Sequence, residues 1–238
     1  MRLALVVVVT GCGRFGFSAE PADSAIDTTG DASLAPVARY SMDEAPVSSI
    51  VATDPEQDAP CGPCPTSIAG RIGNAVAFDG TLRVALPNPQ LIGLEPFTVA
   101  LWINPDQNQN ELGSIVSKPA ATAGLNNALS LNVDAGGIVR YESSLDGSIV
   151  TFPSGGPDLR GAWHHVAASW DGTRRRLHLD GVLAGDMSGV FDSSNLAVGI
   201  GADLDDNTAA IFYRGGIDEL RFYARALSDD EITALATP

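Results

Sequence analysis

The most informative part of this chain is the run GAWHHVAASWDGTRRRLHLDG at residues 161–181. Its first half alternates between two sets of side chains, as a β-strand does when successive residues point to opposite faces. Asp171-Gly172 then forms a pair typical of a tight turn, because glycine adopts positive φ without a Cβ clash. Alternation resumes through Leu177 and Leu179, and Asp180-Gly181 turns the chain again. The run therefore predicts a β-meander and, with it, an antiparallel β domain.

Further short strands are predicted along the rest of the chain, at 37–42, 74–78, 82–86, 97–103, 113–117, 128–133, 137–142, 147–152, 196–201 and 211–223. Residues 45–69 are rich in Pro, Asp and Ser and are predicted to form a long rim loop. One helix is predicted to begin after Ser228, because Ser228 and Glu231 form a capping-box pattern and Ile232 and Leu235 share a face. The sequence therefore predicts an all-β, two-sheet antiparallel sandwich with one short C-terminal helix.

Four segments together resemble the LamG-like jellyroll family of the concanavalin A-like lectin/glucanase superfamily. They are the meander, GRIGNAVAFDG at 70–80, FTVALWI at 97–103 and GIDELRFYARALS at 216–228. They stand in the order expected of that family, and the resemblance covers residues 36–236. It implies the jellyroll form of the sandwich, with Trp102 and Trp163 at core positions. It does not fix a function, because one fold hosts many functions.

The N-terminus resembles a bacterial lipoprotein signal. Arg2 is followed by a short apolar run and by Val9-Thr10-Gly11-Cys12, which is similar to the lipobox whose cysteine is lipidated. An ordinary secretory signal with a chance cysteine, or a buried core strand, are the alternatives. We predict a signal peptide at 1–11, a lipidated Cys12 with a disordered tether at 12–35, and a LamG-like jellyroll domain at 36–238. The expected location is the bacterial cell envelope, with the protein anchored to a membrane.

The formal net charge is −15 and the sequence pI is about 4.3. Such an acidic chain is not expected to bind nucleic acid or to be attracted to anionic lipid surfaces. Most of the acidic residues are explained by the need for solubility, but enough carboxylates remain to bind divalent cations. The acidic loop at 203–207 is predicted to be solvated, with a cation or ligand contact as the alternative.

One structural Ca²⁺ site is predicted from Asp43, Asp79 and Asp218. These residues end or interrupt strands that the family resemblance places close together, and the carbonyl of Gly80 adds a further oxygen. Calcium takes about six to eight oxygen ligands, which acidic side chains and free carbonyls supply. In the alternative interpretation, Asp79 is a turn residue and Asp218 pairs with an arginine such as Arg221 or Arg39.

Cys61 and Cys64 enclose Gly-Pro and so match the thioredoxin tetrad letter for letter. Redox chemistry of that kind needs the first cysteine at a helix N-terminus, but Pro60 and Pro65 flank the motif and no helical periodicity follows. A zinc site would need a second ligand pair, which the sequence lacks. We predict a structural disulfide formed in an oxidising compartment; a redox-active pair or free thiols are the alternatives.

No catalytic arrangement is evident in the sequence. His164 and His165 are adjacent on a strand and point to opposite faces; His165 is predicted to be a hydrogen-bonded core residue and His178 to be solvated. The superfamily's glucanases carry E-x-D-x-x-E on one strand, which gathers carboxylates for hydrolysis, and this chain has no such run. The chain has two pairs of adjacent acids, Asp43-Glu44 and Asp218-Glu219, but the two side chains of each pair point to opposite faces of their strand. We therefore predict that the protein is not an enzyme.

The sequence favours a non-catalytic, surface-anchored module that binds a glycan or an extracellular protein. Carbohydrate sites usually show exposed aromatic rings beside polar groups, and no such platform can be identified, so the ligand-binding residues stay unassigned. The alternatives are a polysaccharide-degrading enzyme with an unrecognised site, or a purely structural or adhesive envelope lipoprotein.

Replacing Cys12 with serine is expected to release the protein from the membrane fraction or to leave it unprocessed, because serine cannot carry the thioether-linked lipid. Cell fractionation and the intact mass of the wild type test this. A wild-type protein without acyl mass, found in the soluble fraction, contradicts the prediction of an anchor.

Overall fold

Two antiparallel β-sheets form the body of the protein. The computed structural model describes residues 35–121, 127–145, 148–153, 155–189, 192–204 and 210–237. The predicted signal peptide, Cys12 and the tether up to residue 34 lie outside the described residues. So do the Asp-Gly pair at 146–147 and residues 205–209 of the acidic loop.

The described residues form the following strands: β1 (Ala38–Tyr40), β2 (Ser49–Ile50), β3 (Ala59–Pro60), β4 (Thr66–Ala69), β5 (Asn74–Asp79), β6 (Val84–Leu86), β7 (Phe97–Pro105), β8 (Gly113–Pro119), β9 (Asn127–Val133), β10 (Val139–Leu145), β11 (Ser148–Phe152), β12 (His164–Trp170), β13 (Arg174–Leu179), β14 (Val182–Ser188), β15 (Val198–Ile200) and β16 (Arg214–Tyr223). Short 3-10 helices occupy Pro55–Gln57 and Pro89–Ile92, and helix α1 spans Asp229–Leu235.

The first sheet has the strand order β14-β13-β12-β7-β16-β5-β4, and β1 also pairs with β16. The second sheet has the order β11-β10-β9-β8-β15-β6, and β2 pairs with β3 in a small separate ladder. All of these ladders are antiparallel. The two-sheet all-β sandwich with one C-terminal helix is confirmed.

The hydrophobic core lies between the inner faces of the two sheets. Because strand residues alternate between faces, every second residue of β7 enters it, and β9 contributes in the same way from the other sheet. The buried residues of these two strands that pack in the core include Phe97, Val99, Leu101, Ile103, Leu129, Leu131 and Val133.

Helix α1 covers part of the outer face of the first sheet. Ile232 is fully buried and belongs to a second apolar cluster with Ala100, Ala167 and Tyr223 of that sheet. The predicted capping box is present: the Ser228 hydroxyl accepts from the Glu231 amide, and the Glu231 carboxylate accepts from the Ser228 amide. The cap fixes where the helix starts, and burial of its apolar face holds it on the sheet.

The meander predicted at 161–181 is confirmed: β12 and β13 lie within it, and β14 follows its second turn. Its second turn has positive φ at both central residues, 49° at Asp180 and 80° at Gly181. This is the geometry of a two-residue hairpin turn whose twist matches the flanking strands. The Asp180 carboxylate also accepts from the amide of His165 and contacts the ring of His164, so the turn is tied to the neighbouring strand.

The prediction of an unbroken loop at 45–69 is wrong. The segment contains β2, β3, one 3-10 helix and β4, which pairs with β5 along Thr66–Ala69. All four residues of β4 are exposed, so the strand lies at the sheet edge. A short polar edge strand has no buried alternation from which it could be recognised.

The prediction that His178 is solvated is also wrong, because its side chain is only 1% exposed. It faces away from the core, as its position in the strand indicates, but Asp229 of α1 lies over it and contacts its Nε2 at 2.9 Å. The outward face of a strand is solvated only where no other element covers it.

His165 is buried on the same outer face, at 2% exposure, with its ring edge-on to Trp102. Its burial is therefore as predicted, but it lies outside the core between the sheets. In the part of the chain that the structure describes, its Nδ1 has no hydrogen-bond partner, so the predicted bond is absent at this atom. Burial, assisted by the nearby charge of Arg221, lowers the pKa of His165 to about 4. The ring is therefore neutral in the folded protein at neutral pH.

We expect His165→Phe to reduce the loss of stability in acid. A histidine whose folded pKa is lowered contributes stability at neutral pH that is lost as pH falls from its unfolded value of about 6.5 to about 4. The free energy of unfolding of the wild type should fall relative to the variant by roughly 3 kcal/mol over that window. Denaturant titrations of the wild type and of His165→Phe at several pH values measure this. Parallel curves for wild type and His165→Phe would show that His165 is not held neutral.

Candidate functional site

Three strand ends meet at one edge of the first sheet and enclose an open recess. β5 ends at Asp79, which pairs with Arg214 at the start of β16, and Gly215 pairs with Pro105 at the end of β7. The recess has a volume of about 460 Å³. Its lining carries carboxylates, amides and a guanidinium, from Asp79, Asn104, Asp106, Gln107 and Arg214, beside apolar surface that includes Ile68 and Ala77.

A second recess of about 280 Å³ adjoins the first, since Arg214 lines both. The second recess is lined by Gly80, by the loop residues Asn108, Gln109, Asn110 and Glu111, and by Phe212. We call the two recesses together the Arg214 cleft. Its lining is dense in hydrogen-bonding side chains, and most of them are exposed.

The loop that follows β7 is held in place by its own side chains. Asp106 accepts hydrogen bonds from the backbone and side-chain amides of Asn108. Gln109 is 4% exposed; its side chain donates to the carbonyl of Glu111 and accepts from the backbone amide of Arg214 at 2.6 Å. A buried amide that joins two segments in this way fixes their relative position, because leaving it unsatisfied is costly. The walls of the cleft are therefore preformed.

Two glycines make room for the larger side chains of this region. A Cβ on Gly80 would lie 2.9 Å from Nη2 of Arg214, and a Cβ on Gly216 would lie 2.7 Å from Cη2 of Trp163. The guanidinium of Arg214 and the indole of Trp163 therefore rest directly on backbone. No local pattern in the sequence indicates this, since each contact joins segments far apart in the chain.

The prediction that Trp163 lies in the core is wrong. Trp163 precedes β12, is half-buried, and packs on the outer face of the first sheet against Gly216, which lines the cleft together with Ile68. Trp170 is a core residue, and Trp102 is 5% exposed beneath the Arg71 guanidinium. Of the chain's three tryptophans, Trp163 is the least buried, and it lies beside the cleft.

Asp79 is an ionised carboxylate on the rim of the cleft. Its Oδ1 accepts from the hydroxyl and the backbone amide of Thr81, at 2.7 Å and 2.8 Å. These hydrogen bonds, with a smaller contribution from Arg214, lower the pKa of Asp79. The group is suited to accept hydrogen bonds and not to deliver a proton.

The residues predicted to bind calcium fall at two separate places. Asp43 accepts from the amide of Asn74, and Asp218 accepts from the amides of Arg71 and Ile72, so these two carboxylates contact the same turn before β5. Asp79 and Gly80 lie at the other end of β5, about 17 Å from Asn74 along the strand. Among the described residues, no three His, Cys, Asp or Glu side chains are grouped as a metal site requires.

Asp218 is not paired with an arginine, as the alternative interpretation proposed; its neighbour Glu219 forms those ion pairs instead. Glu219 binds Arg39 at 2.8 Å and Arg221 at 2.7 Å. Asp218 is fully buried, its Oδ1 has no partner within the described part of the chain, and burial raises its pKa to about 6. A calcium ion held by Asp218 and Asp43 stays a prediction, with Asp79 and Gly80 excluded from the same site by distance.

Cys61 and Cys64 form a disulfide, as predicted. Cys61 follows β3, and its amide donates to the carbonyl of Ser48, so no helix begins at the motif. Within the residues described, there is no helix both long and apolar enough to cross a bilayer.

Comparison with known proteins agrees with this architecture. A family model described as the Concanavalin A-like lectin/glucanases superfamily matches residues 78–233, and the chain belongs to this family. A search of curated proteins finds no match.

Solved structures with the same fold include domain 4 of AbnA, an extracellular GH43 arabinanase from Geobacillus stearothermophilus in complex with arabinotriose. It shares 21% identity at a TM-score of 0.67, over 85% of this chain and 98% of that domain. Trypanosoma rangeli sialidase shares 19% identity at a TM-score of 0.65, over 84% of this chain and 32% of the sialidase. A CBM40 of Ruminococcus gnavus IT-sialidase, bound to α2,3-sialyllactose, shares 24% identity at a TM-score of 0.50, over 60% of this chain and 83% of that one. At these identities the likeness concerns the fold.

If calcium binds at the turn before β5, millimolar calcium should raise the melting temperature relative to chelator. A ligand at 100 times its dissociation constant stabilises the folded state by about 2.7 kcal/mol. Asp218→Asn should abolish most of the gain, whereas Asp79→Asn should leave it intact, because Asp79 lies at the far end of β5. Identical melting in calcium and in chelator would end the metal interpretation of Asp218.

Proposed function

We propose that this protein is a non-catalytic glycan-binding module that holds its ligand in the Arg214 cleft. The observation that carries the proposal is the meeting, at one sheet edge, of a preformed polar cleft with a partly exposed tryptophan. Sugars present hydroxyl groups around their edges and apolar C–H faces. Sites that bind them combine hydrogen-bonding side chains with an aromatic surface.

The chemistry of the cleft favours a glycan over a protein ligand. Interfaces with proteins are generally depleted of acidic groups at their centre and rich in apolar anchors. Here Asp79, Asp106 and Glu111 line the recesses together with several amides. These groups match the donors and acceptors of sugar hydroxyls, and Trp163 and the half-buried Phe212 supply ring surface.

The acids of the cleft support a binding role in preference to hydrolysis. Glycoside hydrolysis needs one carboxylic acid whose pKa is raised so that it can protonate the leaving group. The pKa of Asp79 is lowered instead. Burial raises the pKa of two described aspartates, that of Asp218 to about 6 and that of Asp203, but neither residue lines the cleft. Asp218 lies four residues along β16 from Arg214, about 13 Å away. A polysaccharide-degrading enzyme remains the second candidate, since the fold also occurs in glycosidases.

The comparisons support the same class of function without naming the ligand. The arabinanase domain and the CBM40 were both solved with an oligosaccharide, and the mosquitocidal protein 1 of a paraclostridium has a binding domain of this fold at a TM-score of 0.60 and 14% identity. In this proposal the lipid on Cys12 and the tether to residue 35 hold the module on the cell envelope. A purely structural envelope lipoprotein would need no such cleft.

The test is binding of the purified protein to a glycan array, followed by calorimetry on each glycan retained. Trp163→Ala should weaken binding about tenfold or more, equivalent to about 1.4 kcal/mol, while the melting temperature shows that the variant is folded. Val182→Ala, at a residue 69% exposed on β14, is the matched control and should bind as the wild type does.

Failure to retain any glycan would remove the proposed function. Retention that Trp163→Ala does not affect would place the binding site elsewhere on the sandwich. Release of reducing sugar from a retained polysaccharide would favour the enzyme.

A further inference from the structure

Arg214 differs from most of the protein's other arginines in what its charge contacts. Seven arginines of the described residues are paired with carboxylates: Arg39, Arg140, Arg160, Arg174, Arg176, Arg221 and Arg225. The guanidinium of Arg214 has no ion pair or hydrogen bond with any residue that the structure describes, although its backbone amide is bonded to Gln109. Among the described residues, Arg71 and Arg175 also lack an ion pair, but Arg71 lies over the Trp102 ring and Arg175 is fully buried. Arg214 is therefore the unpaired arginine that lines the cleft.

The guanidinium is also held where a ligand can reach it. It rests on the backbone of Gly80, where a side chain would collide with it, and it lines both recesses of the cleft. Arg214 is exposed, and a guanidinium offers five N–H donors in a fixed planar fork. Its strand is fixed at this point by the bond to the buried Gln109, which keeps the position of the group preformed.

The carboxylates that face Arg214 set a limit on the charge of the ligand. Asp79 is the nearest in the ladder, and Asp106 and Glu111 line the same cleft. One oxygen of Asp79 is occupied by Thr81 and one oxygen of Asp106 by Asn108, so each keeps an oxygen for a sugar hydroxyl. Three carboxylates would repel a polyanion, but one guanidinium can pair with one carboxylate in a bidentate manner.

We propose that Arg214 anchors the carboxylate of an acidic sugar, a uronic or sialic acid, whose hydroxyls donate to Asp79, Asp106 and Glu111. This inference rests on the proposed glycan-binding function and adds the chemical class of the ligand. A neutral sugar would use the same acceptors but would leave the guanidinium without a charged partner. The net negative charge gives no long-range attraction for such a ligand, so recognition depends on the short contact with Arg214.

Matched acidic and neutral oligosaccharides test the proposal. Aldotriouronic acid, which carries a single glucuronic acid carboxylate, and 3′-sialyllactose are each compared with their methyl esters by calorimetry on the full chain. At least one acidic member should bind tenfold or more tightly than its neutral partner. Arg214→Gln should make the two members equal, and Arg214→Lys should recover part of the preference, because it keeps the charge but loses the bidentate fork. Arg174→Gln, which breaks the exposed pair with Asp186, is the control and should keep the full preference.

Each outcome separates this proposal from the function on which it rests. Equal binding of acidic and neutral members by the wild type overturns the role of Arg214 and leaves a module for neutral glycans. Binding of neither kind, on the array or in solution, removes the glycan-binding function as well. Preference for a sulfated oligosaccharide over aldotriouronic acid and 3′-sialyllactose would overturn the carboxylate as the recognised group. Melting curves of the three variants must match the wild type; if Arg214→Gln does not fold, the preference measured with Arg214→Lys decides.

Discussion

The ladder between β7 and β16, at the centre of the first sheet, is the constraint on which the rest of the structure depends. Its inner face supplies Leu101 and Ile103 to the core, and its outer face carries the surface that helix α1 covers. One end of the same ladder forms the floor of the Arg214 cleft. A change of register here would move all three features at once, since a one-residue slip reverses which side chains face the core.

The register is maintained through a β-bulge near the middle of the ladder. Trp102 pairs with Asp218 but Ala100 pairs with Arg221, so β16 contains one extra residue, and Glu219 has a φ of 51°. Positive φ is unfavourable for glutamate, and the buried contacts of its carboxylate with Arg39 and Arg221 offset that cost. Because of the bulge, Asp218 and Glu219 have different partners. Asp218 accepts hydrogen bonds from the turn before β5, whereas Glu219 joins β16 to Arg39 of β1.

The elements with a local signal could be predicted from the sequence, and those without one could not. The meander and the helix cap were predictable because alternation, Asp-Gly turns and the Ser228–Glu231 pattern are contained within a few neighbouring residues. The burial of His178 depends on Asp229, which lies 51 residues away. The cleft depends on the pairing of Asp79 with Arg214, across 135 positions of the chain, and no single sequence shows that pairing.

The lack of a local signal also explains why the calcium site predicted from acidic residues was only partly correct. The sequence analysis correctly placed Asp43 and Asp218 close together, since both contact the turn before β5. It was wrong for Asp79, because this residue lies at the opposite end of β5. The two ends differ in their physical setting: Asp218 is buried, which favours its neutral form, whereas Asp79 is exposed and stabilised as an anion by Thr81. The exposed end has the open volume, the arginine and the aromatic ring. A glycan, which needs hydrogen-bond acceptors and a surface for its C–H faces, is therefore better served there than at the buried carboxylate.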